Sequence, residues 1–217
     1  MTQHLTRRHL LALTSGALVL NAAGLHAETT APAAATDAAT IVDFGIGDVN
    51  AKVKMAEYLS FTCPHCARFH ADVYPKLKAD YIDTGKVRLE YHEVYFDQLG
   101  LLGGMLARCG GEMRYFGITD MLYDKQKDWA GAADLATAVE SLKKIGLAAG
   151  MEDAAMDACL RDQTVAEALV AHYQASIATD YPGETFGGTP SFIINGAQHS
   201  NMDYAELQAI LDAELAK

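Results

Sequence analysis

Two cysteines separated by two residues, Cys63-Pro64-His65-Cys66, are the part of this 217-residue chain best suited to chemistry. Such a pair is either half of a metal site or a dithiol that cycles through a disulfide. A structural zinc site needs two further ligands at similarly close spacing, and the remaining cysteines, Cys109 and Cys159, stand singly and fifty residues apart. The pair also lies where an apolar strand pattern runs into a helical one, with Pro64 at the first helical position that proline favours. Redox chemistry fits this placement. The alternative from another class is a chaperone holding copper or zinc through Cys63, Cys66 and His65, because soft thiolates select copper(I).

A cysteine entering a helix puts its sulfur among free backbone N–H groups at the positive end of the helix dipole, which favours the thiolate of Cys63. Cys66, one turn inside, is expected to be buried and to act as the resolving thiol. Lowering a thiol pKa by about four units corresponds to about 5 kcal/mol, whereas a helix terminus supplies at most about 2 kcal/mol. His65 is the candidate for the remainder, through a cationic imidazole or extra N–H donors. A stabilised thiolate stabilises the dithiol, so the disulfide becomes the stronger oxidant, by roughly 100 mV for about 5 kcal/mol.

The elements that must hold this motif can be read around it. Val53, Met55, Glu57 and Leu59 share one face of a strand leading into the cysteines. Glu57 therefore points inward, close below the sulfurs, where burial raises a carboxyl pKa. Phe69, Val73, Leu77 and Tyr81 predict a helix from Cys66 to about Gly85, kinked at Pro75. Val87, Leu89 and Tyr91 alternate with polar residues as a second strand, so strand, helix and strand form a right-handed parallel crossover. Residues 97–181 read as helical throughout. After Gly187-Gly188, Pro190 opens a strand in which it cannot donate a ladder hydrogen bond, and a cis Thr189-Pro190 bond would present the Thr189 backbone to an incoming chain. Phe192-Ile193-Ile194 then meets Asn195-Gly196, a hairpin signal. A last helix is capped by Asp203 and carries Leu207, Ile210, Leu211 and Leu215.

Composition and charge narrow the setting. The chain is 50% hydrophobic, enough for a folded core, and has 17 Lys plus Arg against 28 Asp plus Glu. Residues 1–27 hold two arginines, Arg7 and Arg8, then the apolar run Leu10 to Leu20 and a small-residue end at Ala27, the pattern of a cleavable export signal. That run is interrupted by Thr14, Ser15 and Gly16 and falls short of the roughly 20 apolar residues of a membrane span. Thr6-Arg7-Arg8-His9-Leu10-Leu11 fits either a twin-arginine or an ordinary signal. Without this stretch 15 basic residues face 28 acidic ones, a net charge of −13, which excludes nucleic acid as a partner. Residues 28–40, rich in Ala and Thr, read as a disordered leader. Export leads to an oxidising compartment in which disulfides persist. One short catalytic pair and one long structural bridge, Cys109 to Cys159, is then the expected arrangement, worth about 4 kcal/mol in the chain-entropy model; two small buried apolar side chains are the alternative.

Joined together, Glu57-Tyr58-Leu59-Ser60-Phe61-Thr62-Cys63-Pro64-His65-Cys66 and Gly188-Thr189-Pro190-Ser191-Phe192-Ile193-Ile194-Asn195-Gly196 resemble the DsbA family of periplasmic thiol:disulfide oxidoreductases. The resemblance covers about residues 41–217. It implies an α/β thioredoxin fold, a mixed central sheet flanked by helices, over 41–96 and 182–217, with an all-helical domain inserted at 97–181. It implies that Cys63 forms the mixed disulfide, that Cys66 resolves it, and that Thr189-Pro190 is a cis-proline loop facing the sulfurs. Glu57 stands where the family keeps a buried acid that tunes the couple and relays protons, and some relatives carry a second disulfide in the helical domain. DsbA is itself the known case of a very low thiol pKa. The implied substrates are reduced, partly unfolded exported proteins, and the implied partner is a quinone-linked membrane oxidase; no cofactor is expected, and the protein is expected to be a periplasmic monomer. A disulfide isomerase or reductase on the same fold is the closest alternative. The chain departs from the family's type member in carrying His70 and Glu90 where that protein has Glu and Lys, which alters the expected charge beneath the cysteines.

Overall fold

The computed structural model describes residues 40–183 and 185–217. The expected export signal and the leader up to residue 39 lie outside them. Five strands, β1 (Phe44–Ile46), β2 (Val53–Leu59), β3 (Val87–Glu93), β4 (Ser191–Ile194) and β5 (Ala197–Ser200), form one mixed sheet in the order β1-β3-β2-β4-β5. The parallel pair β2 and β3 is joined through a crossover helix, as the apolar periodicities predict, and the other neighbours are antiparallel. β2 is central, so its side chains are covered on both faces; Tyr58 and Leu59 are both wholly buried. The β4–β5 turn has positive φ at Asn195 (46°) and Gly196 (87°), the pair of left-handed residues that a two-residue hairpin with native twist requires.

The single kinked helix expected from Cys66 to Gly85 is three segments. α1 (Pro64–Asp72) stops, α2 (Tyr74–Leu77) restarts with Pro75 in its first turn, and a π-helical turn (Lys78–Ile82) follows. Pro75 lacks an N–H, and its ring collides with the carbonyl four residues back, so the helix reinitiates where a missing donor is harmless. Leu77 and Tyr81 remain on the buried side.

Between β3 and β4 run α3 (Gln98–Cys109), α4 (Glu112–Asp124), α5 (Gln126–Trp129), α6 (Leu135–Ala148), α7 (Asp153–Leu160) and α8 (Gln163–Asp180); α9 (Tyr204–Ala216) ends the chain. Asp97, Asp134, Asp162 and Asp203 cap α3, α6, α8 and α9, each accepting a backbone N–H from the first turn. One apolar cluster runs from Val53, Leu59 and Phe192 of the sheet to Leu106, Leu122, Trp129 and Met156 of the helices. The helical stretch thus shares a core with the sheet. Closeness matters at Gly104, where an added Cβ would lie 2.7 Å from the Tyr95 ring, so α3 could not approach the end of β3 with a larger residue.

A buried polar knot ties these two parts together. Arg108 Nε donates to Glu93 Oε2 at 2.7 Å, Tyr115 donates to Glu93 Oε1 at 2.5 Å, and Tyr95 also donates to this carboxylate. Arg108 also lies over the Phe44 ring and donates to the Val42 carbonyl, while the next residue, Cys109, is bonded to Cys159. Removing one partner from a buried ion pair strands the other charge, at a cost of about 3–5 kcal/mol. Arg108→Met is expected to lower stability by about that much, and adding Glu93→Gln to recover a large part of it, as read from denaturant unfolding of the single and double variants.

Candidate active site

Cys63 is the residue immediately before α1, with extended backbone (φ −76°, ψ 120°), and Pro64 is the first helical residue. Its sulfur therefore faces the unpaired N–H groups of the first turn. Cys63 is half-buried and Cys66 wholly buried; both are thiols. The Cys63 pKa falls from an ordinary 9.0 to about 5, chiefly because the Cys66 thiol donates to its sulfur; the Thr189 side chain and the backbone N–H groups of Cys66 and His65 add to this against the opposing effect of partial burial. Burial first, then donation to Cys63 and the nearby Glu57 carboxyl, push the Cys66 thiol far up. One sulfur is thus poised as an anion and the other as an acid.

The imidazole of His65 plays a smaller part than its position in the motif suggests. It is exposed, and its Nδ1 lies 2.6 Å from Arg68 Nη2. A guanidinium can only donate, so this ring nitrogen accepts and carries no proton. What His65 offers the sulfur is its backbone N–H.

Across from the motif, the Thr189-Pro190 peptide bond is cis, and the Cys63 thiol donates to the Thr189 carbonyl at 3.2 Å. Thr189 Oγ1 is buried without a protein partner in hydrogen-bond geometry, which leaves it free to favour a charged sulfur. Beside this loop is an open cleft of about 600 Å³ lined by His65, Thr185, Pro190, Gln198, His199 and Asn201 among others.

Beneath the cysteines, Glu57 is 3% exposed and burial raises its carboxyl pKa from 4.5 to about 8. Its neighbour across the parallel ladder is Tyr91. Glu90 is exposed and paired with Ala56, on the opposite face of the sheet, so the expected influence of Glu90 on the charge below the sulfurs is not borne out: strand alternation turns it away. His70, by contrast, is buried, with Nε2 2.7 Å from Asp120 Oδ1. Among the described residues no three His, Cys, Asp or Glu side chains converge as a metal site.

Three residues holding the active-site turn were not singled out from sequence. Gln126 Nε2 donates to the carbonyls of Phe61 (2.8 Å) and Cys63 (2.9 Å). Asp97, the α3 cap, accepts from Thr62 Oγ1 at 2.7 Å, and the Tyr123 hydroxyl points at the Ser60 carbonyl. The available signal was a glutamine at helical spacing from Leu122 and Trp129 in the sequence, a position where an apolar residue is the ordinary choice.

A Cys-x-x-Cys at the start of a helix, on a mixed sheet and opposite a cis-proline strand end, defines a thioredoxin-fold dithiol protein. A thioredoxin family model matches residues 39–213. The chain belongs to the thioredoxin family, among its DsbA-like members. A Rickettsia bellii protein named as a protein-disulfide oxidoreductase is 33% identical over 171 residues, covering 78% of this chain and 63% of that relative. The disulfide bond formation protein D of Bacillus anthracis is 28% identical, with 79% of this chain and 78% of that protein covered. The crystal structure of Wolbachia pipientis alpha-DsbA1 superposes with a TM-score of 0.70 at 28% identity, over 80% of this chain and 91% of that one. This chain spans 60–63% of the length of the first Rickettsia relatives. No helix of the described residues is long and apolar enough to cross a membrane.

Two titrations follow. Thiolate ultraviolet absorbance of the reduced protein is expected to rise with a midpoint near 5, from Cys63, with no second thiol titrating until well above neutrality. For Glu57 the unfolded chain loses its proton near 4.5 and the folded chain near 8. The folded state holds the extra proton between these values, so this residue makes stability fall as pH rises through that window, by at most about 1.4 kcal/mol per pH unit. Glu57→Gln removes that slope. Relative to the parent, the variant should gain stability from pH 5 to pH 8 in denaturant unfolding; a constant difference would contradict the assignment.

Proposed function

We propose that the protein is an exported disulfide oxidase that donates the Cys63–Cys66 disulfide to folding proteins. The observation that carries this reading is the opposed pair of thiols: Cys63 held near 5 at a helix N-terminus, Cys66 buried and held protonated. A substrate thiolate attacks Cys63 Sγ, the bond to Cys66 breaks, and Cys66 takes up a proton, for which the Glu57 carboxyl is the nearby source. A second substrate thiolate then attacks the substrate sulfur of the mixed disulfide. Cys63 leaves as a thiolate and needs no proton at neutral pH. A leaving group so stable drives the exchange toward oxidised substrate.

The remaining assignments belong to the same reading. An extended substrate pairs through its backbone with Thr189 at the cis-proline loop and lays its flanking residues in the adjoining cleft. Pro64 opens the helix, His65 supplies a backbone donor, and Cys109–Cys159 braces the helical layer. The N-terminal signal, of twin-arginine or ordinary type, directs a monomer to the periplasm, where a quinone-linked membrane oxidase restores the disulfide.

Equilibration with glutathione buffers tests the reading. A couple well above about −200 mV, toward the strong oxidants, is expected; a potential near about −270 mV, like thioredoxin, would overturn it in favour of a reductase. Charged with oxidised glutathione at Cys63, Cys66→Ser should exchange glutathione for a reduced unfolded protein and hold it as a mixed disulfide, and Cys63→Ser should form none.

A further inference from the structure

The cysteines stand over a polar cluster larger than Glu57 alone. Glu57 Oε2, Tyr91 Oη and Thr119 Oγ1 are all buried without a protein hydrogen-bond partner. They belong to β2, β3 and α4, and Thr119 shares the buried face of α4 with Tyr115 and Tyr123. The Tyr91 ring lies 6.4 Å from that of Tyr74. His70 closes the cluster toward solvent: its ring stacks on Tyr74 at 4.6 Å and 14° and lies 4.8 Å from Tyr123. It is 9% exposed, and its Nε2 meets Asp120, whose side chain is 53% exposed. Buried oxygens that find no protein partner are ordinarily satisfied by ordered water, and water, phenols and an imidazole in series can pass protons.

The exchange reaction needs such a route. When the disulfide opens, the bond between the substrate sulfur and Cys63 forms, the Cys63–Cys66 bond breaks, and the electron pair remains on Cys66, which takes the Glu57 proton. This leaves a carboxylate 3% exposed, which must be reprotonated, and recharging of the disulfide reverses the flow. Cys66 is itself fully buried and has no direct access to bulk water.

We propose that His70 and Asp120 form the gate through which Glu57 exchanges this proton with solvent, by way of the Tyr74 and Tyr91 hydroxyls. The proposal rests on the disulfide-exchange reading. His70 touches no reacting sulfur and acts through Glu57. The titratable groups around Glu57 are Cys66 from α1, Tyr74 from α2, Tyr91 from β3 and Tyr123 from α4. Those around His70 are Tyr74, Tyr123 and Asp120. Neither group forms an ion pair with lysine or arginine among the described residues. If His70 served only to anchor Asp120, glutamine would do as well.

His70→Gln and the surface variant Asp120→Asn test this in the full-length protein. The readout is the turnover of oxidised protein with excess reduced Cys-containing peptide, followed by acid quenching and thiol alkylation across pH, in H2O and D2O. The expected result is a loss of about tenfold or more at neutral pH in His70→Gln, a changed pH profile, a larger solvent isotope effect, and partial recovery with small buffer acids. The equilibrium with glutathione should shift little. Unchanged rates and profiles in folded variants overturn the gate, as does a uniform loss at every pH with the parent's isotope effect, which would mark a structural role. A parent protein that oxidises no peptide overturns the disulfide-exchange reading itself, so the two failures are told apart by the unmutated control.

Discussion

The hydrogen bond from the Cys66 thiol to the Cys63 sulfur is the interaction to which the rest of the structure answers. It forms only because one sulfur is sealed from water while the other sits at the mouth of a helix, three residues away in the chain and one turn apart in space. Burial makes Cys66 a poor anion and hence a standing donor; the open first turn makes Cys63 a good anion and hence a standing acceptor. Each condition strengthens the other, and the result is a wide difference in acidity between the two thiols.

Keeping that geometry requires support from well beyond the motif. β2 delivers the chain to the centre of the sheet, where both faces are covered, and the short turn Ser60–Cys63 leads from it into α1. Gln126 holds the carbonyls of Phe61 and Cys63, Asp97 holds Thr62, and Tyr123 approaches Ser60. All three come from the helical stretch between β3 and β4. That stretch is in turn clamped to the sheet by the Glu93, Arg108, Tyr95 and Tyr115 knot and by the common apolar core. The helices therefore act on the chemistry by fixing the turn in front of α1, without contributing a reacting group.

Charge is distributed with similar economy. The thiolate is stabilised by donors on neutral groups, backbone N–H, a thiol and a hydroxyl, with no cationic side chain among them. His65 leans on Arg68 instead. Preoriented dipoles of this kind hold the charge without a counter-ion, whereas an imidazolium beside the sulfur would carry its own desolvation cost. Below the sulfurs burial keeps the Glu57 carboxyl largely protonated at neutral pH, and its Oε2 has no protein hydrogen-bond partner.

Much of this was written locally in the chain. Strand alternation placed Glu57 inward with Val53 and Met55, helical spacing and Pro64 placed Cys63 at a helix start, Asn195-Gly196 specified the hairpin, and Asp203 marked the cap of the last helix. These are short-range properties, because side-chain direction repeats every two residues in a strand and every 3.6 in a helix. The same rule, applied to the second strand, turns Glu90 outward. Tertiary packing alone decided that Gln126 reaches the Phe61 and Cys63 carbonyls and that His70 meets Asp120 fifty residues away. Each depends on how two or more elements dock, and docking is set by side-chain volumes and hydrogen bonds across the interface, which no periodicity along one segment records.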